Sequence, residues 1–141
     1  MKKKYLIVIA NYYKDISKGL LNSALKILPK SNLIRIIQVP GVFEIPITIS
    51  KNIKKYDGFL ALGCVIKGET PHFDFISAST TNAIMSLSIN HKKPIGNGII
   101  TCLNMRQAKA RKKKGAEAAD AVISILSQKW EYNLIQKIIQ E

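Results

Sequence analysis

At 141 residues, 47% apolar and 22% charged, the chain can bury about two-thirds of its unfolded surface, which excludes a disordered or fibrous protein. No apolar run reaches the ~20 residues that a membrane-spanning helix needs. The net charge of +13 raises nucleic-acid binding, but the excess is nearly all lysine scattered along the chain, with arginine only at Arg35, Arg106 and Arg111.

No aromatic residues interleave with those lysines, so a solvated basic surface is expected, with neither a nucleic-acid nor a membrane partner. The opening "MKKKYLIVIAN" imitates a secretory leader. Its apolar part stops at Asn11 without a small-residue cleavage site, so "KYLIVIA" is expected to be a strand and the protein cytoplasmic. Next, Ile16, Leu20, Leu21, Ala24, Leu25 and Leu28 repeat at helical spacing and predict one buried helix face. "NLIRIIQV" alternates in part and predicts a second strand. In "EIPITISKNIKK", Pro46 suits the first turn of a helix, where a missing amide costs nothing.

"GFLALGCVI" is apolar throughout and predicts a strand buried on both faces. Ile76, Ala83, Ile84 and Leu87 then mark a helix ending near His91. "PIGNGIITC" predicts a fourth strand, with Gly96 and Gly98 allowing another backbone to come close. "NMRQAKAR" reads as a helix, and "GAEAADAVISILSQKWEYNLIQKIIQ" as a long one with Ala119, Ile123, Leu126, Trp130, Leu134 and Ile138 on one stripe. Cys64 and Cys102 fall in apolar strands with no metal-ligand spacing, and are expected to be buried free thiols. Hydrophobic strands alternating with helices imply a single domain over residues 1–141. Its expected fold is a three-layer α/β/α sandwich around a four-stranded, mainly parallel, flavodoxin-like sheet.

In such a sheet, ligands bind beyond the carboxyl ends of the strands. Four segments are therefore expected at one rim: Asn11 to Tyr13, Pro40 to Glu44, Lys67 to His72, and Thr101 to Asn104 leading to Arg111. Together they offer an aromatic face, a carboxylate, an imidazole that ordinarily titrates near ~6.5, and a guanidinium. Gly68 to Thr70 precede a helix and can turn backbone amides toward a phosphate. No serine or cysteine stands beside a base, so covalent catalysis is not indicated. Neither a GxGxxG nor a Walker loop occurs.

"VPGVFEIP", "LGCVIKGETPHFDF" and "KGAEAA", in this order and spacing, resemble the 6,7-dimethyl-8-ribityllumazine synthase family over about Leu6 to Ile125. That resemblance implies the penultimate step of riboflavin biosynthesis. In it, 5-amino-6-(D-ribitylamino)uracil condenses with 3,4-dihydroxy-2-butanone 4-phosphate, without a cofactor or metal, releasing phosphate and water. By the same resemblance, Tyr12 stacks on the pyrimidine, Val42, Phe43 and Glu44 hold the ribityl chain and ring, and Asn97 occupies a position that packs over a neighbour's pyrimidine. Glu69 and Thr70 match the phosphate loop, His72 the proton carrier, and Arg111 the arginine that binds the butanone phosphate across a subunit boundary.

The resemblance also implies a homo-oligomer with sites at subunit interfaces, here a pentamer, and association with riboflavin synthase. Several residues depart from the family pattern. Tyr12 and Asn97 stand where another aromatic is usual, and Tyr13 replaces a common asparagine. The connector Arg111 to Gly115 is short, and the chain begins almost at its first strand. The last two features lean against the sixty-subunit shell that some members build. Two rival readings remain, a basic α/β module that binds RNA or DNA and a flavodoxin-like carrier of flavin or nucleotide.

Overall fold

The computed structural model describes residues 2–30 and 32–128. Four strands, β1 (Lys4–Ala10), β2 (Leu33–Val39), β3 (Gly58–Ile66) and β4 (Ile95–Cys102), form one sheet. Among the described residues five helices connect or follow them: α1 (Lys14–Ile27), α2 (Ile45–Asn52), α3 (His72–His91), α4 (Met105–Ala110) and α5 (Lys114–Leu126). A single 3₁₀ turn, Val42–Glu44, leads into α2. The strand order is β2-β1-β3-β4 and every pairing is parallel, so the sheet is wholly rather than mainly parallel.

The two faces of β1 seed two cores, because successive side chains of a strand point to opposite sides. Tyr5, Ile7 and Ile9 pack with Leu60, Leu62, Ile100 and the buried faces of α1 and α5. Leu6, Val8 and Ala10 pack with Phe59, Ala61 and the apolar residues of α2 and α3. Each fully buried Leu or Ile side chain contributes about 1.5–3 kcal/mol. The expected three-layer sandwich is the result. On α1 the predicted face is inward, with Ile16, Leu20, Ala24 and Leu28 buried. Pro46 lies in the first turn of α2, as its missing amide requires.

One element differs from expectation. The last helix is shorter than its apolar stripe predicts, because α5 closes at Leu126 and the Ser127 hydroxyl donates back to the Ile123 carbonyl at 2.7 Å. Serine competes in this way with helix continuation. Trp130, Leu134 and Ile138 of that stripe lie outside the described residues. On α3 the predicted stripe faces the sheet, with Ile84 buried and Ile76 and Leu87 packed against the second core, while Phe75, Met85 and Ile89 are exposed. Its apolar surface therefore extends well beyond the stripe that meets the sheet.

Gly96 fits the role its sequence position suggested. A Cβ there would run into the Ala118 carbonyl oxygen, so α5 rests on the bare backbone of β4. Gly96→Ala should therefore push α5 away and cost about 1–3 kcal/mol, as overpacking does. A lowered midpoint in urea unfolding, with the slope unchanged, is the expected reading; an unaltered midpoint contradicts this packing.

Candidate functional site

Because all strands run the same way, Ala10, Val39, Ile66 and Cys102 end at one rim. At the end of β1, the Ser17 hydroxyl donates to the Ala10 carbonyl at 2.6 Å and the Ser17 amide to the Tyr13 carbonyl at 2.9 Å. The first bond ties the opening turn of α1 to the strand, the second closes that turn on Tyr13, and together they fix the Tyr12–Tyr13 corner. The two rings meet edge to face, with centroids 4.9 Å apart. Tyr13 packs against the core, whereas Tyr12 is 73% exposed and free to face a ligand.

Beyond β2, the chain turns through Gly41 into the 3₁₀ turn. Val42 is buried, and it reaches the sheet only because residue 63 has no side chain. A Cβ on Gly63 would sit 2.7 Å from Val42 Cγ1 and 3.1 Å from the Ala10 Cβ. With Val42 anchored, Phe43 projects outward and Glu44 is half-buried at the start of α2. Its carboxylate lies over Gly41, where an added Cβ would be 3.3 Å from Oε1.

At the end of β3, the Lys67 amide still bonds the Cys102 carbonyl at 2.8 Å, and the chain then leaves the sheet. Lys67 to Pro71 are exposed, and His72 is the first residue of α3. The dipole of this 20-residue helix favours an anion near its first turn.

Tyr12, Val42, Phe43, Glu44 and His72 line a single cleft of about 610 Å³, floored by Cys64, Val65 and Ile66. Glu69 and Thr70 lie on the exposed loop beside it and do not line it. Asn97 and Arg111 are elsewhere. Arg111 follows α4, donates to the Thr101 carbonyl at 3.3 Å and lines a second cleft of about 680 Å³ against β4. Lys113, Lys114 and Asp120 share that second cleft, residues the sequence reading treated only as connector and helix. Asn97 lies exposed on β4, its side-chain oxygen accepting from the Ile99 amide at 3.0 Å. The four segments thus reach one rim but form two clefts, since β4 is the edge strand and carries its exit away from the other three. Tyr13 and Cys64 were missed as lining residues, and only the strand order and the packing of the Tyr pair reveal them.

The sequence profile of the family described as 6,7-dimethyl-8-ribityllumazine synthase matches residues 2–129. The chain belongs to that family. It is 42% identical to the 6,7-dimethyl-8-ribityllumazine synthase of Bartonella bacilliformis over 88% of each chain. With the Bartonella henselae protein of the same name it shares 42% identity over 96% of this chain and 94% of the relative. The Agrobacterium fabrum protein of that name is 39% identical over 92% and 97%. Within this lumazine synthase family member, no described group of His, Cys, Asp and Glu side chains forms a metal-binding cluster.

The cleft floor is held uncharged. Burial, then the charge of Cys102 and a hydrogen bond with it, push the Cys64 thiol up to about 12 from an ordinary 9.0. Burial also raises the Tyr13 phenol, helped by Tyr12 and Cys64. In this family member, then, the native Cys64 keeps its proton where an unfolded chain releases it. Its contribution to stability is intact below pH 9 and is lost as pH rises toward 12. Two outcomes are expected: Cys64→Ala should flatten the alkaline loss of stability, and native Cys64 should resist alkylation at neutral pH. Rapid modification of the folded protein would contradict the burial.

Proposed function

We propose that the protein condenses 5-amino-6-(D-ribitylamino)uracil with 3,4-dihydroxy-2-butanone 4-phosphate to 6,7-dimethyl-8-ribityllumazine. The observation that carries this reading is family membership together with Tyr12, Phe43, Glu44 and His72 lining one cleft. Tyr12 and Phe43 supply exposed faces for the flat pyrimidine, and the Glu44 carboxylate accepts from ribityl hydroxyls. Glu69, Thr70 and the amides beside them receive the phosphate at the start of α3.

The arylamine attacks the ketone and water leaves as an imine forms. Phosphate then departs, the enol left behind becomes a ketone, and the ribityl-bearing nitrogen adds to that carbonyl and closes the ring with loss of a second water. Most of these steps move protons, which a group such as His72 can shuttle, an effect worth about 10²–10⁴-fold. Holding both reactants together contributes more, because a two-body reaction becomes effectively one-body.

The cleft is completed by Arg111 and Asn97 from an adjoining copy of the chain. Within one chain neither lines the cleft that holds His72: Arg111 lines the second cleft, and Asn97 lies on the edge strand β4. The exposed Phe43, Ile47, Phe75, Met85 and Ile89 supply apolar surface for such contacts. A pentamer, sited in the cytoplasm, is the assembly this reading takes, as the family resemblance implies. The lumazine product is consumed by riboflavin synthase, which is the partner proposed for the assembly.

Incubating the protein with both substrates should yield lumazine fluorescence, and its absence defeats the assignment. His72→Ala should lower turnover by no more than about 10⁴-fold; a folded variant with no activity at all contradicts a pure shuttle. Arg111→Ala should raise the KM for the butanone phosphate about 10–10²-fold, the loss of a charge-assisted pair. Mixed oligomers of the two variants should exceed the summed activity of each alone. Simple additivity would place both residues in one chain's site.

A further inference from the structure

A parallel sheet collects the starts of its strands at one rim as strictly as it collects their ends. Lysines that are far apart in the sequence meet there. Lys2 and Lys4 flank the start of β1, Lys30 precedes β2, Lys54 and Lys55 precede β3, and Lys92 precedes β4. All six are exposed.

Hydrogen bonds hold these segments level. The Lys3 amide donates to Asn32 Oδ1 at 2.7 Å, the Lys4 amide to Asp57 Oδ2 at 2.8 Å, and Lys93 Nζ to the Ile53 carbonyl at 2.6 Å. Three gaps between four strands, each ~4.8 Å, set the rim about 14 Å across. That width is close to the Debye length of ~8–10 Å, so the charges act together.

Little opposes them. Asp57 is the only acidic residue among the described residues of these strand starts, and its carboxylate already accepts a backbone amide. The one ion pair among the described residues, Lys114 with Glu117, lies at the other rim. The remaining described acids, Asp15, Glu44, Glu69, Asp74 and Glu117, sit near the starts of helices, toward the strand ends, and Asp120, midway along α5, lines the cleft that holds Arg111. Basic residues also stand at the other rim, among them Lys67, Arg111, Lys113 and Lys114, but the acids gathered there offset them in part, so the net positive charge is concentrated at the strand starts.

We propose that this lysine rim binds the phosphate backbone of single-stranded RNA, without reading its bases. Lysine is a compact point charge on a flexible stem, suited to successive phosphates and not to fixed bidentate contacts. The one described arginine near these strand starts is Arg35, two residues into β2, and no exposed aromatic side chain stands on the rim to stack on a base. The rim faces away from the Tyr12–His72 cleft, so occupancy of one leaves the other open. This inference does not depend on the activity proposed above.

Fluorescence anisotropy with a labelled poly(U) strand of ~20 nucleotides tests it, with salt raised from about 50 to about 200 mM. Six lysines neutralising six phosphates give a slope of about −4 in log affinity against log salt, a loss of roughly 10²-fold over that range. Lys54→Glu with Lys55→Glu should weaken binding at least about tenfold and flatten the slope by about 1.4 or more, while lumazine formation is unchanged. Lys18→Glu with Lys109→Glu makes the same change in net charge away from the rim and should have little effect. Equal weakening by both pairs would mean bulk charge and overturn the assignment. So would no binding at low salt, or binding to phosphatidylserine vesicles in place of the RNA.

Discussion

Parallel pairing is the constraint from which the rest of this structure follows. Once β1 pairs with β2 on one side and β3 on the other, every strand must begin at one end of the layer and finish at the other. Each connection must cross back as a helix, and the helices cover both faces. The apolar residues of β1, divided between two cores, make that arrangement the one that buries them all. Polar chemistry is left with two places to go, the rim of strand ends and the rim of strand starts.

Much of this was legible in the residues. The continuous apolar runs of β1 and β3 and the partial alternation of β2 marked strands, and Pro46 marked a helix start. The stretches that hold Tyr12, Glu44 and His72 could be placed at one rim because each follows a strand. The grouping of those residues into one cleft, apart from Arg111, was not legible. It depends on β4 lying outside β3, and strand order leaves no local trace in hydrophobic period. The lysines illustrate the same limit. Their spacing along the chain is wide, and only the lateral order and register of the strands reveal that they are neighbours.

Small residues at two positions do what periodicity cannot announce. Gly63 admits Val42 to the sheet and thereby aims Phe43 and Glu44 outward, while Gly96 lets α5 lie on β4 beside the second cleft. Packing tolerances of tenths of an ångström therefore link each cleft to a core. A change in volume behind either would be felt in front of it.

The bond from Ser17 to the Ala10 carbonyl has one more consequence. It holds the chain at the Tyr12 corner, so a ligand entering the cleft beside this wall would cost it little conformational entropy. A loosely held loop would have to surrender that freedom in each binding event, and its affinity would suffer accordingly. One buried hydroxyl thus makes the wall preorganised.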